Sequence, residues 1–250
     1  MSEAAVAEPR KSTPDVRNRL AIALDTDDLV EAARIAREVR PWFGVAKVGL
    51  ELFSAVGPDA LITLAELGYR IFLDLKFHDI PTTVRKAAQV VGGLGASYLT
   101  LHARGGPALL LAGVDGLNEG AARGGLPAPT ALAVTVLTSD DAAPLHVLGN
   151  RVRAALEGGC QGVVCAASDV REVKQLAPRL TTVVPGIRPA GGATHDQARA
   201  ATPDAALAAG ADLLVIGRAV TAAPDRAEAC TQLVSGLNLE RRQRAGDGEE

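Results

Sequence analysis

Charged side chains that could do acid–base chemistry interrupt an apolar run at residues 70–83, which read RIFLDLKFHDIPTT. Alternate residues of a β-strand share a face, so Asp74 and Lys76 are expected to point one way and Leu73 and Leu75 the other. Two opposite charges then lie together on one face of the strand. Two interpretations are open at this point: a salt-bridged strand end, or a site that uses the pair for chemistry.

A second carboxylate, Asp79, follows three residues after Lys76. Pro81 stands two residues further on, and the fixed φ of proline is tolerated in the first turn of a helix. We therefore predict that a helix begins near Pro81 and that Asp79 lies on the loop just beyond the strand.

The composition favours one large globular domain without a general affinity for polyanions. The chain has 250 residues, of which 48% are hydrophobic and 22% charged, and its net charge is −3. Such a charge gives no basic field for nucleic acid or anionic lipid. The apolar runs also fall short of the ~18 residues that a membrane-spanning helix needs. We predict no nucleic-acid or membrane partner, so an anionic ligand must be held by local groups.

The two ends of the chain differ in composition from its middle. Residues 1–19 are rich in Ala, Glu, Pro and Arg and contain no apolar segment of the kind found in secretion signals. Residues 238–250 are charged and have no apolar face. We predict a disordered N-terminal extension at 1–19, a catalytic domain at 20–237, a disordered charged tail at 238–250, and a cytoplasmic location.

Apolar segments of strand length alternate with helical segments along the middle of the chain. They are continuous in apolar character, as the strands of a parallel sheet covered on both faces must be. Eight such units predict the α/β class and a (β/α)8 TIM barrel in a single domain. The strands are predicted at 20–24, 43–49, 70–75, 97–101, 130–137, 162–165, 181–184 and 212–216. The helices are predicted from a cap at 27 or 28 to 40, and at 50–67, 81–94, 107–122, 142–157, 169–176, 203–209 and 223–237.

Polar residues collect at the ends of these strands, where barrels of this class carry their active sites. They are Asp25 after the first strand, Lys47 in the second, Asp74, Lys76 and Asp79 from the third, Thr138 after the fifth, Arg188 after the seventh, and Gly217 and Arg218 after the eighth. Two lysines and three carboxylates near one mouth exceed what a structural ion pair needs. Their charges nearly balance, so the desolvation cost of closing the mouth is shared among them.

The last two strand ends resemble a phosphate site. Barrels often bind phosphate with the loops after strands 7 and 8. Here the seventh strand runs into Pro185-Gly186-Ile187-Arg188-Pro189 and a glycine-rich loop, and the eighth into Gly217-Arg218. Gly217 lets the backbone come close to a ligand, and Arg218 can bind a dianion with two hydrogen bonds.

The central stretch and several shorter motifs together resemble the orotidine 5′-phosphate decarboxylase family, in its shorter bacterial-type branch. The resemblance covers nearly all of residues 20–237. Its motifs are Ala23-Leu24-Asp25, Lys47-Val48-Gly49, the segment from Asp74 to Thr83, Val136-Leu137-Thr138-Ser139, Pro185-Gly186-Ile187-Arg188-Pro189 and Ile216-Gly217-Arg218.

The resemblance implies a role for each charged residue at the mouth. Lys76 would deliver a proton to C6 of the pyrimidine, and Asp74 would lie beside the substrate carboxylate. Asp25 and Lys47 would hold the ribose hydroxyls. The reaction would be the cofactor-free conversion of orotidine 5′-phosphate to UMP and CO2 in pyrimidine biosynthesis.

The resemblance also implies a homodimer with shared active sites. Asp79 and Thr83 would reach the ribose in the neighbouring subunit's site, while Thr138 would line the pyrimidine of its own. Phosphate would be held by Arg188, Gln197, Gly217 and Arg218, with Gln197 bridging towards the base. The glycine-rich segment 190–194 would form a lid over the ligand.

Two departures from the family pattern leave packing at the loop and at the pyrimidine open. Thr82 stands where many relatives have Asn, and Ala166 stands where many have Ser. Neither position is assigned chemistry.

Histidine and cysteine positions do not predict a metal site. His78 and His102 are not joined by a third clustered ligand, and nearby lysines would repel a cation, so we predict that both form structural hydrogen bonds. Three cysteines, Cys160, Cys165 and Cys230, have no zinc spacing and are an odd number, so we predict reduced packing residues.

Two alternative functions stay open on the sequence. One is a related barrel that uses Mg²⁺ on sugar phosphates, such as a 3-keto-L-gulonate 6-phosphate decarboxylase or a hexulose-phosphate synthase. Those enzymes place an acidic metal ligand near the position of Lys47, which speaks against them. The other is a catalytically silent barrel that binds a phosphate ligand, although every expected charged residue is present.

Overall fold

The computed structural model describes residues 14–137, 145–188, 201–235 and 237, and it confirms the predicted (β/α)8 barrel. Eight parallel strands close in sequence order, with β1 pairing to both β2 and β8. The strands are β1 (Leu20–Leu24), β2 (Val45–Gly49), β3 (Arg70–Phe77), β4 (Ala96–His102), β5 (Thr130–Val134), β6 (Gly162–Val164), β7 (Thr181–Val184) and β8 (Leu213–Ile216). The helices are α1 (Pro14–Asn18), α2 (Leu29–Val39), α3 (Leu50–Val56), α4 (Asp59–Glu66), α5 (Pro81–Gly93), α6 (Gly106–Arg123), α7 (Leu145–Glu157), α8 (Val170–Leu176), α9 (Pro203–Ala209), α10 (Arg218–Thr221) and α11 (Arg226–Ser235).

The apolar core has two parts, one inside the barrel and one between the strands and the helices. Strand β3 shows how the sequence divides them, because its side chains alternate between the two faces. Phe72 packs in the inner cluster, while Ile71, Leu73 and Leu75 pack in the outer one. The inner face of β3 therefore continues towards the barrel mouth through Asp74, as the alternation predicts.

One predicted helix is divided in the structure, and another is shorter than predicted. The segment predicted as one helix over 50–67 forms α3 and α4, separated by Gly57 and Pro58. Gly57 has a φ of +60°, and proline lacks the amide hydrogen that a continuous helix would need. The segment predicted over 223–237 ends earlier, at Ser235, and the short α10 precedes it.

Strand β5 is shorter than predicted. It ends at Val134, after which Thr135 still reaches the neighbouring strand with both its amide and its hydroxyl, which donate to the carbonyl of Val164 at 3.0 and 2.9 Å. Hydrogen bonding between β5 and β6 therefore continues for one residue beyond the regular ladder.

Part of the predicted N-terminal extension is helical in the structure. Helix α1 lies within that predicted extension, and Val16 on it is buried. The carbonyl of Arg17 accepts a hydrogen bond of 2.8 Å from Gly44, where a Cβ atom would lie only 2.7 Å from the same oxygen. The remainder of the extension, 1–13, and the predicted tail, 238–250, lie outside the described residues.

All three cysteines are buried and none is in a disulfide, which confirms the prediction of reduced packing residues. Burial raises the pKa of the Cys160 and Cys230 thiols to about 12, so both stay protonated at neutral pH. Within the described parts of the chain, no helix combines the length and the apolar character that crossing a bilayer requires.

Candidate active site

Four side chains of alternating charge lie across the barrel mouth, and we call them the charge chain: Asp25, Lys47, Asp74 and Lys76. Lys47 Nζ lies 3.0 Å from Asp25 Oδ1 and 3.7 Å from Asp74 Oδ2. Lys76 Nζ lies 2.9 Å from Asp74 Oδ1. Each inner member thus contacts two groups of opposite charge, and the sequence-predicted cluster is assembled within one chain.

Strand register brings these residues together. Lys47 is paired with Ala23 on β1 and with Phe72 on β3, two residues before Asp25 and Asp74 respectively. The charged side chains therefore project above an apolar layer inside the barrel. Gly49 also contributes, because a Cβ atom there would lie 3.1 Å from both Asp25 Oδ1 and Lys47 Nζ.

Asp74 is the electrostatic centre of the charge chain. Burial alone raises the pKa of this carboxyl, since a charged group loses its hydration. The positive charges of Lys47 and Lys76 act against burial, and hydrogen bonds from Lys76 and Thr100 add to their effect. The pKa of Asp74 ends below its usual value, so the carboxylate is ionised at neutral pH.

Lys76 has an unusual backbone conformation. Its φ is +50°, the left-handed region, in which a residue other than glycine costs of order 1–3 kcal/mol. The pairing of β3 with β4 is irregular at the same place. Leu73 pairs with Leu99 and Phe77 pairs with Leu101, so β3 has three residues between these pairs where β4 has one. Such irregularities redirect side chains near active sites, and this one sets the position of Lys76.

Two arginines form a second cationic region at the same mouth, which we call the arginine pole: Arg188 after β7 and Arg218 after β8. Arg188 is only 8% exposed, and its Nε atom is buried without a hydrogen-bond partner. Burial, followed by the nearby charge of Arg218, lowers the pKa of Arg188. Two like charges held together in this way favour binding of an anion.

The charge chain and the arginine pole line one cavity of about 470 Å³. Its remaining lining includes the apolar side chains Phe72, Val134, Val164 and Val215 and the backbone of Gly217. A volume of this size suits a small-molecule ligand, and the arginine pole favours an anionic group on that ligand.

Two predicted site residues do not join the charge chain within one subunit. Asp79 is exposed, and its carboxylate accepts a hydrogen bond of 2.6 Å from the amide of Ile80. Thr83, in the first turn of α5, is exposed as well. Thr138, Gln197 and the predicted lid at 190–194 lie outside the described residues.

The two histidines lie side by side at the rim, with ring centroids 5.4 Å apart. The Nδ1 atom of His102 accepts a hydrogen bond of 3.3 Å from the amide of Arg104, which confirms a structural bond for this residue. Burial, with the nearby charge of Arg151, lowers the pKa of His102 to about 4, so it is neutral at physiological pH. Among the side chains that the structure describes, no three His, Cys, Asp or Glu residues are grouped as metal ligands.

Sequence reasoning missed Thr100, a fully buried residue of β4 whose hydroxyl contacts both Asp74 and Lys76. A signal was available, because Thr100 stands between Leu99 and Leu101 in an apolar strand. Those leucines face the outer core, so the polar residue between them faces inwards.

The chain also resembles known proteins over most of its length. Residues 18–233 match the family model described as Orotidine 5′-phosphate decarboxylase / HUMPS family. An orotidine 5′-phosphate decarboxylase of Anaeromyxobacter sp. (strain K) is 45% identical and is aligned over 88% of this chain and 98% of its own. One from Moorella thermoacetica is 40% identical and is aligned over 89% of this chain and 93% of its own.

A solved structure agrees with the sequence matches. The crystal structure of orotidine 5′-phosphate decarboxylase from Lactobacillus acidophilus superposes with a TM-score of 0.74 at 32% identity, over 88% of this chain and 99% of that one. The chain therefore belongs to the orotidine 5′-phosphate decarboxylase / HUMPS family, and it is an enzyme of the carboxy-lyase class to which its named relatives belong.

Proposed function

We propose that this protein converts orotidine 5′-phosphate to UMP and CO2, in de novo pyrimidine biosynthesis in the cytoplasm, without a cofactor. The observation that carries the proposal is the 2.9 Å ion pair between Lys76 and Asp74 in a cavity that two arginines also line. The names of the relatives at 40–45% identity support the same reaction.

The two regions of the cavity would orient the substrate. Arg188, Gly217 and Arg218 bind the phosphate, and Gln197 assists them and bridges towards the base. The unpartnered Nε of Arg188 supports this role, since a phosphate oxygen supplies the acceptor that the protein does not. Binding energy gained at this remote group stabilises the bound substrate and its transition state.

Ribose and base would then extend towards the charge chain. Asp25 is more than half exposed and accepts from Lys47, so both can exchange hydrogen bonds with ribose hydroxyls. Thr138 lines the pyrimidine. With phosphate at the arginine pole and ribose between the phosphate and the base, C6 of the base comes to Lys76.

The reaction needs one bond to break and one to form. The bond between C6 and the carboxylate carbon breaks, CO2 leaves, and the electron pair stays on C6 as a carbanion. Lys76 stabilises this negative charge with its ammonium group and then transfers a proton to C6, which gives UMP and a neutral amine. The amine recovers its proton from water, so the reaction consumes one proton in total.

Asp74 would act on the same step from the other side. Its carboxylate pairs with the Lys76 ammonium group at 2.9 Å before the reaction and holds that group in place. It would also lie beside the substrate carboxylate, whose departure relieves repulsion between the two. The low pKa of Asp74 supports both roles.

The complete site would include residues of a second subunit. Asp79 and Thr83 are exposed beyond the end of β3 and would reach the ribose in the partner's site. The protein would accordingly act as a homodimer with two shared active sites.

A Mg²⁺-dependent reaction on sugar phosphates is less consistent with this site. Lys47 stands at the centre of the charge chain, where a metal ligand of the related enzymes would be acidic. A catalytically silent barrel that only binds phosphate would not require the strained backbone conformation of Lys76.

A spectrophotometric assay of orotidine 5′-phosphate consumption, with and without EDTA, tests the proposal. We expect turnover that EDTA does not change. Loss of activity on exhaustive chelation, restored by Mg²⁺, would favour the metal-dependent alternative. Phosphate-ligand binding without any turnover would favour the silent barrel.

A further inference from the structure

We infer that Thr100 is a positioning residue for decarboxylation, holding Lys76 and Asp74 in their reactive arrangement through a single hydroxyl group. The inference rests on the proposed function for its kinetic meaning. Its structural basis lies entirely in the contacts between β3 and β4.

The Thr100 hydroxyl is used twice. It accepts a hydrogen bond of 2.8 Å from the backbone amide of Lys76 and donates one of 3.0 Å to Asp74 Oδ1. The same Oδ1 atom accepts from Lys76 Nζ at 2.9 Å. One hydroxyl, one carboxylate and one lysine thus form a closed ring in which both ends of Lys76 are held.

The place of Thr100 in the sheet explains why a side chain makes these bonds. Regular pairing stops between Leu73 and Phe77 on β3, and Thr100 is the one residue of β4 between the partners of those two. The irregularity turns the Lys76 amide towards Thr100, where the hydroxyl accepts its hydrogen bond. Thr100 is fully buried, so water does not replace its hydroxyl from the solvent side.

The Thr100 hydroxyl also gives Asp74 an uncharged hydrogen-bond donor. The hydrogen bond fixes one carboxylate oxygen, so the carboxylate cannot rotate away when substrate displaces part of the ion pairing. Lys47, Lys76 and the Thr100 hydroxyl are the groups that lower the pKa of Asp74 against its burial. Loss of the hydroxyl therefore weakens both the position and the ionisation of the carboxylate.

The test compares Thr100→Val, which keeps the shape and removes the hydroxyl, with Thr100→Ser, which keeps the hydroxyl. Thr182→Val is the matched control, because Thr182 is also fully buried on a strand and its hydroxyl also contacts a carboxylate, that of Asp212 at 3.0 Å. Thermal unfolding of all three variants identifies the loss that removal of a buried hydroxyl causes by itself.

We expect Thr100→Val to lower kcat by about ten- to a hundredfold, as loss of a hydrogen bond to a charged group predicts, and to leave UMP affinity within about threefold. The acid limb of its pH–rate profile should move to higher pH. Thr100→Ser should regain most of kcat, and Thr182→Val should keep both kcat and the pH profile. Unchanged kcat and pH profile in Thr100→Val would overturn the inference, as would equal losses in Thr100→Val and Thr182→Val.

A measurement without substrate separates this inference from the proposed function. Carboxyl-carbon NMR of the free protein should show the titration of Asp74 at higher pH in Thr100→Val than in wild type, and an unshifted titration would contradict the role of Thr100. Wild-type protein that leaves orotidine 5′-phosphate unchanged would instead refute the proposed function, whatever the NMR result.

Discussion

The barrel mouth holds its cations in two different ways. In the charge chain each lysine contacts a carboxylate within 3.0 Å, so the group is nearly balanced before any ligand arrives. In the arginine pole a buried guanidinium with an unpartnered nitrogen lies near a second positive charge. The balanced group can act on a reacting carbon without rearranging, whereas the arginine pole gains most when a dianion binds.

This difference separates two tasks that one cavity must perform. Electrostatic stabilisation of a transition state requires groups that are already fixed, and the carboxylates and Thr100 fix the lysines. Binding of a remote phosphate requires favourable energy on association, which the two neighbouring positive charges of the arginine pole supply. Substitutions in the two regions should therefore affect different kinetic constants.

The largest expected effect on turnover comes from replacing Lys76. We expect Lys76→Ala to lower kcat by at least about 10⁴-fold, because general acid catalysis and electrostatic stabilisation contribute about 10²–10⁴ and 10²–10³ respectively. Steady-state assays with orotidine 5′-phosphate measure the loss. Lys86→Ala, on the exposed surface of α5, is the matched control and should keep wild-type kcat. A Lys76→Ala variant with near-normal turnover would remove this residue from its role.

The next largest effect concerns sharing of the site between subunits. Lys76→Ala and Asp79→Ala chains should each be nearly inactive, but a mixed dimer would contain one site with both native residues. Random remixing of equal amounts makes about half of the dimers mixed, so activity should return to roughly a quarter of wild type. If the mixture stays inactive after subunit exchange is verified, Asp79 acts in the active site of its own chain and the sites are not shared.

A smaller effect is expected at the arginine pole. Arg218→Ala should lower kcat/KM for orotidine 5′-phosphate by about tenfold or more, since a hydrogen bond to a charged group is worth roughly 1.5–3 kcal/mol. The nucleoside without phosphate should lose much less relative to wild type. Arg34→Ala, at an exposed position of α2, serves as the control. Equal losses on both substrates would show that Arg218 does not hold phosphate.

The smallest effect is on stability and concerns the balance of the charge chain. The folded-state pKa of Asp74 lies below the ordinary value of an aspartate, about 4, so this carboxylate stabilises the fold above about pH 4. Its contribution is lost as the pH falls from about 4 through the folded-state pKa. The difference in unfolding free energy between wild type and Asp74→Asn should thus be largest near neutral pH and shrink below pH 4. A difference that stays constant from pH 7 to pH 3 in urea titrations would contradict the assignment.

Much of the fold could be predicted from sequence because strand and helix periodicities are local. All eight strands were predicted in the right order, although β5 is shorter than predicted, and the charge chain followed from alternation along β3 together with the rule that barrel sites lie at strand ends. The helix break at Gly57 and Pro58 was missed, although the residue types were visible. An apolar helical pattern continues across that break and outweighed the proline signal.

The parts of the site that could not be predicted depend on three-dimensional pairing. The left-handed conformation of Lys76 arises from a register shift between β3 and β4, which no local pattern of β3 specifies. Thr100 acquires its importance from the same shift, since a regular ladder would give its hydroxyl other neighbours. Residues that act through an irregularity in pairing are therefore the ones that sequence reasoning misses.

A comparison of rate and affinity in two variants tests most directly whether the charge chain acts on the reaction and the arginine pole on binding. Single-turnover rates at saturating orotidine 5′-phosphate and UMP affinities by calorimetry would be compared for Lys76→Ala and Arg218→Ala. We predict that Lys76→Ala loses the single-turnover rate and retains UMP affinity within about threefold, while Arg218→Ala loses at least about tenfold in UMP affinity and retains most of the rate. Parallel losses of rate and affinity in both variants would contradict the account.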